Sequence, residues 1–130
     1  LTVLSHSFRE EKLENGESRV VLKIPAVLAP LKAAILPLTK KDGMPEKARE
    51  IMKSLQIDFN CQYEEKDSIG KRYRRQDAIG TPYCITVDHQ ALEDNTVTLR
   101  DRDTMVQERV AVEKLHYIIA KKVNIAKYLA

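Results

Sequence analysis

The chain has 130 residues, of which 43% are hydrophobic and 32% charged, with a formal net charge of +3. That suits one domain with a modest core. It exceeds the ~25% charge of an average domain, but the net charge is too small for a general polycation, so any anion binding must come from local clustering. No apolar run is long enough to cross a bilayer, no signal-peptide pattern is present, and the two cysteines, Cys61 and Cys84, form neither a CxxC nor a Cys/His ligand spacing. Zinc is therefore not expected, and two reduced, buried thiols in a cytoplasmic setting are. The opening at Leu1 rather than Met suggests a fragment of a longer protein.

In chain order, residues 1–13 carry Leu4, Phe8 and Leu13 on a loose stripe and read as a helix. Asn15-Gly16 then marks a turn. "RVVLKIP" reads as extended but ends in Pro25, and "AVLAP" ends in Pro30, so this stretch reads as a connector. "KAAILPL" is a short apolar run, as a strand buried on both faces requires. In the next segment Pro45 suits a first helical turn, and Ala48, Ile51, Met52 and Leu55 form one apolar face. "IDFNCQYEE" reads as a second strand. "SIGKRYRRQDAIG" reads as a helix capped by Ser68 and stopped by Gly80. "TPYCITVD" is a third strand, "ALEDN" a turn, "TVTLRDRD" a fourth strand and "MVQERVAV" a fifth. A last helix is expected from about Glu113, with Leu115, Ile118, Ile119, Val123 and Ala126 inward. Alternating strand and helix units predict an α/β fold of three layers. Its five-stranded mixed sheet has one antiparallel strand and lies between helices.

Little in this pattern supports catalysis. There is no GxGxxG and no Walker loop, and the glycines do not cluster. Ser68 has no histidine near it in sequence, and His6, His89 and His116 are scattered. Asp101 and Asp103 alternate with Arg100 and Arg102, whose charges oppose a dication. No catalytic residue, metal or resident cofactor is assigned. The basic helix is the distinctive feature. Lys71, Arg74 and Arg75 share one face, while Ile69 and Tyr73 face another way. Two readings of that charge stand side by side: phosphate contacts, or a solvated face ion-paired with Asp67 and Asp77. In parallel sheets, ligands meet the loops at the strands' carboxyl ends. Lys40 and Lys41 follow the first strand and Lys66 the second, so these groups are expected to converge on one rim suited to a phosphate backbone.

"SIGKRYRRQDAIGTPYCITVD", "LEDNTVTLRDRDTMVQERV" and "RVVLKIPAVLAPLKAAILPL" closely resemble the C-terminal part of the glycyl-tRNA synthetases of the dimeric class II type. The resemblance runs from about Arg19 to the end. It implies residues 1–30 as the end of a catalytic core plus connector and 31–130 as an anticodon-binding domain, with residues 1–13 as a helix leaving that core. The implied sheet places its first strand between the second and third, so Cys61 and Cys84 would not be neighbours. It further implies that the class II core, with its ATP and magnesium, lies elsewhere in the same chain, and that this part alone activates no amino acid. The expected partners are the anticodon stem-loop of the glycine tRNA, the catalytic domain of the same chain, and a second copy in a homodimer.

Glycine codons begin GG, so the anticodon ends in two cytosines. A cytosine edge offers an amine donor and two acceptors, and its reader needs both signs of charge close together. By resemblance, contacts fall at the start of the second helix and at the arginine ending the fourth strand. Arg100, Glu93, Lys66, Ser68 and Arg102 are the candidate anticodon contacts, with Arg100 foremost. Lys71, Arg74, Arg75, Lys40 and Lys41 are candidate phosphate holders. Arg72 and Asp77 are candidate structural pairs, and Glu108 and Arg109 receive no role. Two rivals remain. One is a nucleotide-binding α/β domain, which would need a glycine-rich first turn. The other is a synthetase-like accessory or dimerisation module without ligase activity.

Overall fold

The computed structural model describes residues 8–12, 18–22 and 29–123. Its elements are β1 (Phe8–Lys12), β2 (Ser18–Leu22), β3 (Ala33–Pro37), α1 (Met44–Gln56), β4 (Cys61–Tyr63), α2 (Ile69–Ile79), β5 (Tyr83–Val87), α3 (His89–Asp94), β6 (Thr96–Asp101), β7 (Gln107–Ala111), a 3₁₀ turn (Val112–Lys114) and α4 (Leu115–Val123). The main sheet has the order β4-β3-β5-β6-β7. β3 runs parallel to both β4 and β5, and β6 runs antiparallel to β5 and β7. One strand of five is thus reversed, as expected. Cys61 on β4 and Cys84 on β5 are free and separated by β3.

The burial of the central strands follows from their composition. Every residue of β3 and of β5 is buried, which is possible only with a layer on each face. On one face Ala33, Ile35, Ile85, Val87, Val97 and Leu99 meet Met44, Ala48, Ile51 and Leu55 of α1 and Leu115 and Ile119 of α4. On the other, Ala34, Leu36 and Cys84 meet Ile69 and Tyr73 of α2. Each large aliphatic side chain so buried contributes about 1.5–3 kcal/mol. α2 closes as its sequence promised: Ser68 caps its start, and Gly80 at φ 85° ends it. There Thr81 N donates to Gln76 O (3.0 Å) and Gly80 N to Asp77 O (3.2 Å), the paired closure that a left-handed residue permits.

Three local expectations are corrected. Phe8–Lys12 is a strand and not part of a helix; it pairs antiparallel with Ser18–Leu22, from Phe8 opposite Leu22 to Lys12 opposite Ser18. A short helix with three apolar residues is marginal by itself, whereas a hairpin satisfies both backbones at once, and Asn15-Gly16 between the segments is a hairpin signal. Residues 1–7 and 13, the rest of that expected helix, lie outside the described residues. β2 lies against α2, with Val21 wholly buried. Next, "ALEDN" belongs to α3. Asp88 caps it by accepting from Ala91 N at 3.1 Å, and Asn95 ends it at φ 59°. Finally, α4 starts at Leu115 after a 3₁₀ turn that takes in Glu113. Ala126 and the side chain of Val123 lie outside what is described.

Candidate nucleic-acid interface

The parallel strands β3, β4 and β5 end at Pro37, Tyr63 and Val87 and define a carboxyl rim. The loop after β3 leads to α1 on one face, and the loop after β4 leads to α2 on the other. Loops that part in this way open a crevice between their strands. Lys40 and Lys41 are exposed on the first loop, and Lys66 and Ser68 on the second. The Ser68 hydroxyl accepts from Lys71 N at 3.4 Å. α2 therefore presents its amino end, the positive end of its dipole, at the rim, with Lys71 exposed in its first turn. Glu93 is exposed on α3, which joins the carboxyl end of β5 to the start of β6.

Two arginines of α2 hold this rim in shape. Arg72 is 2% exposed, and its Nη1 donates to the carbonyls of Pro37 (2.7 Å) and Glu64 (3.0 Å). One guanidinium thus fastens the end of β3 and the loop after β4 to the helix; desolvation lowers its pKa. Arg75 donates to Asp67 Oδ2 (2.7 Å) and Lys66 O (2.8 Å) and pairs with Glu64. These ties hold Asp67 at φ 72°, and the Arg75 hydrogen bond lowers the Asp67 pKa. Of the three expected phosphate holders on α2, Lys71 is thus presented outward, Arg75 is engaged in the loop, and Arg74 is half-buried beside Gly70.

Arg100 and Arg102 do not join the rim lysines. Because β6 is reversed, its last residues lie beside the first residues of β5: Arg100 opposes Cys84 and Asp101 opposes Tyr83. Arg100 is 5% exposed and bound twice by Asp77, at 2.8 and 3.0 Å. Its guanidinium carbon lies 4.7 Å from the Tyr73 ring centroid, and Tyr73 in turn shares a 2.7 Å hydrogen bond with Thr86. Arg102 is also buried, donating to Gly80 O (2.9 Å) and Asp103 Oδ1 (2.9 Å). The expectation of exposed reading groups at these two positions is corrected. The last turn of α2 brings Asp77 and Gly80 over the end of β6, and the arginines are used to close that end. Asp101 Oδ1 accepts from the backbone of Asp103 (2.8 Å) and Thr104 (3.2 Å), so it builds the β6–β7 turn.

The sequence reading missed an open shelf beside α2. The helix packs on β3 and β5, and on the same side β6 and β7 turn Thr96, Thr98, Gln107 and Arg109 toward solvent, half-buried to exposed. Arg109 Nη1 donates to Thr96 O (3.2 Å) and Oγ1 (3.1 Å), and Nη2 to Thr98 Oγ1 (3.4 Å). Nη2 also pairs with Asp88 Oδ2 at the carboxyl end of β5. Strand alternation places Arg109 on this face, but its partner Asp88 is distant in sequence, so the pairing had no local signal. Among the described residues no group of three His, Cys, Asp or Glu side chains is placed to hold a metal ion, and no helix is long and apolar enough to cross a membrane.

The strand order β4-β3-β5-β6-β7, with helices on both faces and lysines at the carboxyl rim, makes this an α/β domain with a basic edge. Residues 32–122 match the family described as "Anticodon binding domain", and the chain belongs to that family. It is 53% identical over 124 residues to the glycine--tRNA ligase of Clostridium tetani, covering 95% of this chain and 26% of that protein. To the glycine--tRNA ligase of Borrelia hermsii it is 48% identical over 123 residues, covering 95% of this chain and 28% of the relative. The chain therefore spans about a quarter of the length of these relatives. The fold is similar to the crystal structure of the RNA binding domain of threonyl-tRNA synthetase from Cryptosporidium parvum Iowa II. The TM-score is 0.69 and the identity 24%, covering 77% of this chain and 25% of that one.

Proposed function

We propose that this chain is the anticodon-binding part of a glycine–tRNA ligase and that it grips the anticodon stem-loop of the glycine tRNA over the carboxyl rim and the adjoining shelf. One observation carries the reading: Lys40, Lys41, Lys66, Ser68 and the amino end of α2 gather at one rim, beside a stretch of β6 and β7 that no helix among the described residues covers. The similarity to glycine--tRNA ligases supports the choice of tRNA. The lysines and the helix end take phosphates, which position the RNA without reading its bases. Splayed loop bases then meet the polar shelf, where mixed donors and acceptors read their edges. Glu93 serves as an acceptor for a cytosine amine at the rim. Arg100 and Arg102 act indirectly by holding β6 against α2. Residues 31–130 form the anticodon-binding unit, and 1–30 join it to a catalytic domain of the same chain. ATP, magnesium, glycine transfer and the homodimer contact belong to that remainder of the enzyme.

Filter binding of glycine tRNA against the same tRNA with an exchanged anticodon tests this. Preferential retention of the glycine anticodon is the expected result. Equal retention of both, or of neither, overturns the reading in favour of a docking module.

A further inference from the structure

We propose that Arg109 and Asp88 together form the group that reads one cytosine edge, an assignment that rests on the anticodon reading above. The chemistry is specific. Cytosine presents an amine donor at N4 beside acceptors at N3 and O2, so its complement is a carboxylate oxygen next to a guanidinium N–H. Asp88 and Arg109 provide that juxtaposition, already assembled and partly open, with side chains 22% and 30% exposed. The pair Arg100–Asp77 has the same chemistry but is closed, at 6% and 1%. Arg75 with Asp67 is open but engaged in shaping the β4–α2 loop.

The mounting of the pair suits the task. Asp88 Oδ1 accepts from Ala91 N at the start of α3 (3.1 Å) and from Arg109 Nη1 (3.4 Å), while Oδ2 pairs with Arg109 Nη2, so the carboxylate is held from both sides. The contacts from Arg109 to Thr96 and Thr98 lie between 3.1 and 3.4 Å, long enough to be exchanged for base acceptors without backbone movement. The ion pair to Asp88 keeps the guanidinium in place while that exchange occurs. Uracil carries an acceptor where cytosine carries its amine, so the Asp88 carboxylate would face an oxygen and reject it.

The test measures binding of the full chain to the glycine anticodon stem-loop and to two counterparts, each with one cytosine replaced by uridine, by fluorescence anisotropy at fixed salt. Two variants are compared with the unaltered chain. R109K keeps the charge but loses the planar fork. D88N keeps a residue that caps helices equally well, so α3 is retained. The unaltered chain is expected to favour cytosine about 10-fold to 100-fold at the position read. Each variant is expected to lose most of that preference at one and the same position, with an unchanged salt slope and melting temperature. A preference that persists in both variants overturns the pair alone, as does a variant that weakens all three stem-loops equally. An unaltered chain without any cytosine preference overturns the pair and the anticodon reading together.

Discussion

Arg100 and Arg109 sit on the same face of neighbouring strands, and their surroundings give them opposite work. Arg100 is enclosed by Asp77 and Tyr73, so removing either charge strands the other in a dry site. R100A or D77A is expected to cost about 3–5 kcal/mol in urea unfolding; a loss below about 1 kcal/mol would show that the pair is dispensable. Neither the enclosure of Arg100 nor the role of Arg109 could be read from composition. In each case the deciding carboxylate, Asp77 or Asp88, comes from another element, and only the packing of α2 distinguishes a closed pair from an open one. Burial acts on the neighbouring acids too. Desolvation pushes the Cys84 thiol from its ordinary 9.0 up to about 12, and the Tyr83 hydroxyl from 10.0 to about 12. Between pH 9 and 12 the unfolded chain gives up these protons while the folded chain keeps them. The part of the unfolding free energy that these two groups contribute should therefore be constant below pH 9 and fall as pH rises toward 12. A chemical-denaturation series across that range checks this, and a flat profile would contradict it.

At the level of elements, the helices that were legible are those whose ends are written in short-range chemistry. Ser68 before α2, Gly80 after it and Pro45 in the first turn of α1 act locally, and each was visible in the sequence. The same local logic missed α3, whose Asp88 cap and Asn95 stop enclose only six residues, and β1, whose order depends on a partner strand. S68A is expected to destabilise the domain by about 0.5–2 kcal/mol through the lost cap. G80A is expected to cost about 1 kcal/mol, because Gly80 stands at φ 85°. Thermal melts of the two variants measure both effects. A variant as stable as the parent would mean that packing of α2 on the sheet, rather than its ends, sets its stability.

For the whole molecule, the consequential fact is that the reversed strand carries Arg100 and Arg102 away from the rim that bears Lys40, Lys41 and Lys66. Those three lysines are exposed at the carboxyl rim, which the buried Arg72 braces, while Arg100 and Arg102 are buried at the opposite end. The fold class and the rim lysines were reachable from the alternation of strand and helix, whereas the place of β3 between β4 and β5 was implied only by the family resemblance. Which end Arg100 occupies followed from the antiparallel pairing of β6 once its residues were placed in register. If Lys66 and Lys71 hold phosphates, K66Q and K71Q should each weaken binding to every tRNA and reduce the slope of log affinity against log salt by roughly 0.7–1. A slope unchanged in both variants would remove them from the interface.

The bond from Arg72 to Pro37 O and Glu64 O bears on how binding energy is used. Both lysine-bearing loops are moored by one side chain to the helix whose amino end they flank, so they cannot drift apart independently of α2. On the proposed function, an arriving RNA would meet a braced rim rather than two loose tethers, and less of its interaction would be lost to ordering the protein.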